Sequence, residues 1–172
     1  QKFRKIYKQF QLNQHKMQSY LFLTDKNGEK IRCLSILDPK KAFKKGMISK
    51  AIMGIVKGTE PKVSHENFVA NKEFKDFMHS IISKEIFNSP TLKEQAKKQK
   101  EGQVYIIDAR TKDPKGNVPP YDIVGVVKVE GGKLVSGSYQ QNNNHALVSP
   151  EGIFQLPESL EKKLVEEVNK LQ

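Results

Sequence analysis

The sequence predicts an α+β fold, a single domain in which an antiparallel sheet built from hairpins carries helices packed on one face. Three observations predict it. Short runs rich in Val, Ile and Tyr are joined by tight-turn residues, which suits antiparallel pairing. Other segments repeat apolar residues at three- and four-residue spacing, which suits amphipathic helices. The two kinds are segregated, in the order hairpin, helices, four strands, helix, and do not alternate as a parallel sheet requires. A chain of 172 residues fits one domain. At that size it buries about 70% of its unfolded surface, enough for a real core.

The polar, basic stretch 1–17 predicts a short helix or a frayed arm. Tyr20–Thr24 and Lys30–Leu37 read as strands around Asp25-Lys26-Asn27-Gly28-Glu29, where Asn-Gly supplies the positive φ of a hairpin turn. Asp38-Pro39 opens a predicted helix over 39–57, with Asp as cap and Pro in the first turn. Its stripe is Phe43, Met47, Ile48, Ala51, Ile52 and Ile55, expected to cover the sheet, and Gly58 is its expected stop. Ser64 is the expected cap of a second helix, whose stripe runs from Phe68 and Val69 to Ile86. Ser89-Pro90 opens a third, thinly apolar helix to about Lys100, stopped by Gly102.

The second part reads as strands. Val104–Ile107 is a buried run, Arg110–Tyr121 a long Pro-rich loop, and Tyr121–Val129 a strand that Glu130–Lys133 turns back into Leu134–Tyr139. A last hairpin joins Ala146–Val148 to Ile153–Leu156, and Pro157 starts a final helix striped by Leu160, Leu164, Val165, Val168 and Leu171. The chain thus divides into a basic, helix-rich part, 1–102, and a hairpin-rich part, 103–172. An isolated hairpin is marginal, so both parts are expected to share one sheet.

Charge follows the same division. Residues 1–100 hold 22 Lys/Arg against 9 Asp/Glu, or +13, and residues 101–172 hold 8 against 10, or −2. One face, and not the whole body, is therefore expected to meet an anionic partner. Of the basic residues 27 are Lys and 3 are Arg. Lysine is a flexible point charge, whereas arginine reads guanine edges with a fixed fork, so any nucleic-acid binding is expected to be weakly sequence-specific. The single cysteine, Cys33, permits no internal disulfide. A reducing cytoplasm is the expected compartment, and a factor secreted into another cell fits the same composition. No apolar run reaches the ~20 residues of a membrane span.

Two groups of residues carry the functional expectation. Lys40, Lys41, Lys44 and Lys45 form a basic face on the first predicted helix, suited to an acidic protein or nucleic acid. The second group lies at strand ends and loops: Asp108, Arg110 and His145 as catalytic candidates, with Tyr121, Tyr139, Gln140 and Asn144 as binding candidates. There Asp108 would orient or deprotonate, His145 act as acid or base, and Arg110 hold an anion. Turn chemistry alone also accounts for polar loops of this kind. His15, His65, His79, His145 and Cys33 lack metal-ligand spacing, so no metal is expected. No phosphate-binding glycine loop or nucleophile elbow is present, and no cofactor is expected. The expected function is a binding or adaptor module, with a small transferase or hydrolase as the alternative.

Overall fold

A computed structural model describes residues 3–11, as backbone, and residues 17–171. Strand β1 (Phe3–Gln11) pairs antiparallel with β2 (Gln18–Lys26), and β2 with β3 (Glu29–Ser35). The β2–β3 turn is the predicted one. Asn27 and Gly28 take φ of 53° and 83°, both positive, as a two-residue turn matched to strand twist requires. After α1 (Pro39–Lys45), β4 (Ile52–Val56) and β5 (Phe68–Ala70) extend the sheet to the order β1-β2-β3-β4-β5.

Helices α2 (Lys72–Glu85) and α3 (Pro90–Gln99) lead to a second antiparallel sheet. In it β6 (Gly102–Ile107) pairs β7 (Ile123–Glu130), whose other edge takes β8 (Lys133–Leu134) and β9 (Gln140–Gln141). A two-stranded hairpin, β10 (Val148–Ser149) with β11 (Gly152–Ile153), precedes α4 (Glu158–Lys170). The α+β class is as predicted, with antiparallel sheets and four helices among the described residues.

Five expectations are corrected. The stretch 1–17 is neither helix nor arm where described, because Phe3–Gln11 satisfies its backbone on the edge of β2. The helix over 39–57 stops after seven residues at Gly46, φ +83°. Ile52–Val56 is instead a strand, β-branched at its ends and paired with β3. Gly54 is required there, since a Cβ would collide with the Phe68 ring and the Val69 carbonyl. The second helix starts at Lys72, not after Ser64, because the Asn71 side chain caps Glu73 N–H at 3.2 Å and ties Ser49 O and Ile52 O at 2.8 Å each. Phe68–Ala70, freed from that helix, becomes β5. Among the described residues the two parts do not share a sheet. Finally, β6 is buried on one side only: Val104 and Ile106 face inward while Tyr105 is 50% exposed.

A shared core replaces the shared sheet. One continuous cluster runs from Leu21, Phe22, Leu34 and Met53 of the first sheet to Val104, Ile106, Val124 and Val127 of the second. Helix α2 packs on β4 of the first sheet and on the C-terminal helix, and belongs to the same core. Its Phe74, Met78 and Ile82 are fully buried, and Phe74 meets Phe154 edge-on at 6.2 Å. Each such side chain contributes about 1.5–3 kcal/mol by burial, which anchors α2 in the common core. Helix α3 is the predicted surface helix: Ser89 Oγ caps Leu92 N–H, and only Leu92 and Ala96 are buried.

Candidate functional site

The lysine face is built by a very short helix. Asp38 Oδ1 accepts from Lys40 N–H at 2.8 Å, Pro39 fixes the first turn, and Gly46 ends the helix. Ala42 alone is buried, so nearly the whole circumference faces outward. Lys40, Lys41, Lys44 and Lys45 are exposed and line, with Asn169 of α4, a shallow depression of about 260 Å³. Asn169 seats the helix: its Oδ1 accepts from Asp38 N–H at 2.9 Å and its carbonyl from Lys41 Nζ at 3.0 Å. Among the described residues, lysine ion pairs involve Lys72, Lys163 and Lys170, and none involves these four. Lys44 and Lys45 sit in the last turn, where the helix dipole favours cations.

Beside the lysines the stripe expected to cover the sheet is partly in solvent. Phe43 is 45% exposed, with its ring 6.2 Å from that of Phe22, and Ile48 is 43% exposed. Truncation of the helix at Gly46 explains this. Ala42, Met47, Ala51 and Met53 bury through a turn and a strand, which leaves Phe43 and Ile48 on the outer side. The result is a mixed apolar and cationic surface.

Of the second group, Asp108, Arg110 and His145 are brought together, and they are buried. Asp108, at the end of β6, is 0% exposed, His145 1% and Arg110 7%. His145 Nε2 lies 2.9 Å from Asp108 Oδ2, so this nitrogen carries the proton donated to the carboxylate. Asp108 Oδ1 accepts from Arg110 N–H at 3.1 Å and Gln155 N–H at 2.9 Å. Arg110 donates from Nε to Asp122 Oδ1 at 2.8 Å. Its Nη1 donates to Gly152 O at 2.8 Å and Leu147 O at 3.5 Å, and its Nη2 to Ala146 O at 2.5 Å and Tyr121 O at 3.2 Å. Thr111 Oγ1 completes the group on Asp122 Oδ2 at 2.7 Å. All five guanidinium protons are engaged, so Arg110 has none left for a substrate anion.

The chemistry of this group is cross-linking. Arg110 gathers the carbonyls of three separate segments around two carboxylates, which fixes the Pro-rich loop, the 145–147 segment and the β10–β11 hairpin to one another. Asp122, in a short helical turn at the foot of β7, was not singled out from sequence. Its only sequence signal is an acid just before a strand, twelve residues beyond Arg110. His79 likewise carries no sequence signal, since the histidines lack metal-ligand spacing. It is buried on α2, and its Nδ1 lies 2.7 Å from Tyr139 Oη. Burial first, then repulsion from His145 and Lys75, pulls His79 down to about 4 against a weaker opposing pull from Asp76. Burial also raises the Tyr139 phenol. His79 Nε2 and His145 Nδ1 are buried without a hydrogen-bond partner among the described residues.

The remaining candidates take structural or solvent positions. The Tyr121 hydroxyl meets Glu151 Oε1 at 3.2 Å. The Tyr139 ring packs on Gly125, where any Cβ would strike it. Gln140 is exposed and paired through its backbone with Val126. Asn144 is exposed, and its N–H donates to Asn142 Oδ1 at 3.1 Å. Cys33 is buried in β3, and burial pushes its thiol up to about 12, so no thiolate is available there. Among the described residues no three His, Cys, Asp or Glu side chains are arranged to hold a metal ion. No described helix is long and apolar enough to cross a membrane. No family model, curated protein or solved structure matches this chain.

Proposed function

We propose that this chain is a binding module that docks an acidic protein partner on the lysine face of α1. The observation that carries the reading is the set of four exposed ammonium groups, Lys40, Lys41, Lys44 and Lys45, without a carboxylate partner among the described residues. Phe43 and Ile48 beside them supply the apolar contact that charge alone does not, because electrostatics steer association while apolar anchors hold it. Nucleic acid is the weaker partner. Arg32 and Arg110 are both spent inside the fold, Arg32 on the carbonyls of Lys57, Gly58 and Glu60. Phe43 is the only aromatic residue of this helix, too little for a stacking platform.

The test is fluorescence anisotropy with labelled poly-glutamate, and with short DNA and RNA, at ~50 and ~200 mM salt. The expected result is poly-glutamate binding that weakens with salt and falls at least about tenfold in Lys40→Glu/Lys41→Glu/Lys44→Glu/Lys45→Glu. Binding unchanged by that variant removes the face from the reading. Binding of DNA or RNA alone would make phosphate the partner chemistry. The alternative, a small transferase or hydrolase, draws support from the 2.9 Å contact between His145 and Asp108. It is the lesser reading because both groups lie under the surface and Arg110 is saturated.

A further inference from the structure

A second basic surface was not singled out from sequence. A cleft of about 230 Å³ opens between α3 and the β7–β8 hairpin and shares no lining residue with the α1 depression. Its floor is apolar: Ala96 is buried, and Phe87 and Leu134 are half-buried against the core. Its rim is Lys93, Lys97 and Lys133, all exposed. Lys93 and Lys97 are four residues apart on α3, so they stand on one side of the helix as a like-charge pair. Among the described residues no carboxylate lines the cleft, and no ion pair takes any of the three ammonium groups. Glu101, at the adjoining turn, is turned to the Gly131 N–H at 3.0 Å.

Three cations held around an apolar floor repel one another until an anion joins them. Size decides what kind. Sites for whole small molecules run to about 300–1,000 Å³, and this cleft is smaller and lies at the surface. Its dimensions suit one apolar side chain, the anchor of a larger ligand whose charges stay at the rim.

We propose that this cleft docks an acidic segment of a partner protein, with one aromatic or large aliphatic side chain seated on Phe87, Ala96 and Leu134. Carboxylates on either side of that anchor meet Lys93, Lys97 and Lys133. The site is independent of the α1 face: either can be lost while the other is kept.

The experiment uses the full chain, labelled with ¹⁵N, and two labelled peptides: a run of glutamates with a central Phe, and the same run with Ser in its place. The Phe peptide is expected to shift the amides of Ala96, Gly132 and Leu134 and to bind at least about tenfold more tightly than the Ser peptide. Lys97→Glu/Lys133→Glu abolishes the shifts at these three amides, whereas the four-lysine reversal on α1 leaves them in place. Equal binding of the two peptides, or shifts confined to α1, overturns the proposal. So does octanoate shifting these amides while the Phe peptide does not, because the cleft would then take a small amphipathic anion.

Discussion

The charges of α1 and the charges around Arg110 answer opposite questions. On α1, four lysines stand in solvent with one hydrogen bond among them, from Lys41 to Asn169, and no counter-ion among the described residues. Around Arg110, two carboxylates, a guanidinium and an imidazole lie under the surface with nearly every polar atom matched. A buried charge persists only where its partners are supplied, so the inner group is explained by the fold that holds it. An exposed charge costs little and explains nothing about the fold. It is on the outer, unmatched set that the proposed partner rests.

The comparison breaks most sharply at Arg110. Arg110→Met removes all five guanidinium donors at once and leaves Asp108 and Asp122 as buried carboxylates without their cation. Breaking one side of such a group costs about 3–5 kcal/mol. For a chain of this size that lowers Tm by roughly 6–20 °C. Chemical denaturation and a thermal scan measure it. A loss below about 1 kcal/mol would mean that the group is hydrated and open, and would revive the catalytic reading.

Two buried titratable groups sharpen the comparison through pH. His79 is held down to about 4, below its unfolded value of 6.5. Its neutral burial contributes stability that is complete above pH 6.5 and lost as pH falls toward 4, because the unfolded chain takes up the proton first. The facing groups are His145 and Lys75, which add to the effect, and Asp76, which opposes it. Glu161 moves the other way. Burial lifts it to about 7, from 4.5, against hydrogen bonds from Leu156 and Met17 N–H and with support from Asp108 and Glu158. Its protonated form is preferred in the fold, so stability is complete below pH 4.5 and lost as pH rises through 7. The two windows overlap and partly cancel in the parent chain. His79→Gln should flatten the acid-side loss and Glu161→Gln the loss toward pH 7, each by up to about 3 kcal/mol. Urea denaturation from pH 4 to 8 checks both slopes, and parallel profiles for parent and variants would refute the burial account.

The legibility of these regions differed for physical reasons. Asn27-Gly28 and Ser89-Pro90 were readable because the signal and the structure it dictates lie within four residues. Residues 39–57 misled because Phe43, Met47, Ile48, Ala51, Ile52 and Ile55 fit a helical period. Gly46 and the pairing of Ile52–Val56 with β3 broke that period, and the pairing is visible only in three dimensions. β1 was hidden because an edge strand rests on backbone hydrogen bonds, which leave no mark in composition. In the buried group Asp108, Arg110 and His145 were readable, since polar residues at strand ends stand out. That Arg110 would be saturated was not, because its acceptors are carbonyls that any residue provides.

The smallest expected effect tests the outer half of the comparison. Reversing Lys40, Lys41, Lys44 and Lys45 to Glu changes the net charge by eight units, yet little in the fold depends on those charges. Only the contact from Lys41 to the Asn169 carbonyl is lost, and it is exposed. The dipole contributions also oppose one another. Glutamates at 40 and 41 lie in the first turn, where they gain, and at 44 and 45 in the last, where they lose, by about 0.3–1 kcal/mol each. The net change in stability is therefore expected to stay within about 0.5 kcal/mol, measured by urea denaturation at ~0.15 M salt. A loss of several kcal/mol would place these lysines with Arg110, as charges that the fold itself requires, and the case for a partner on α1 would lose its ground.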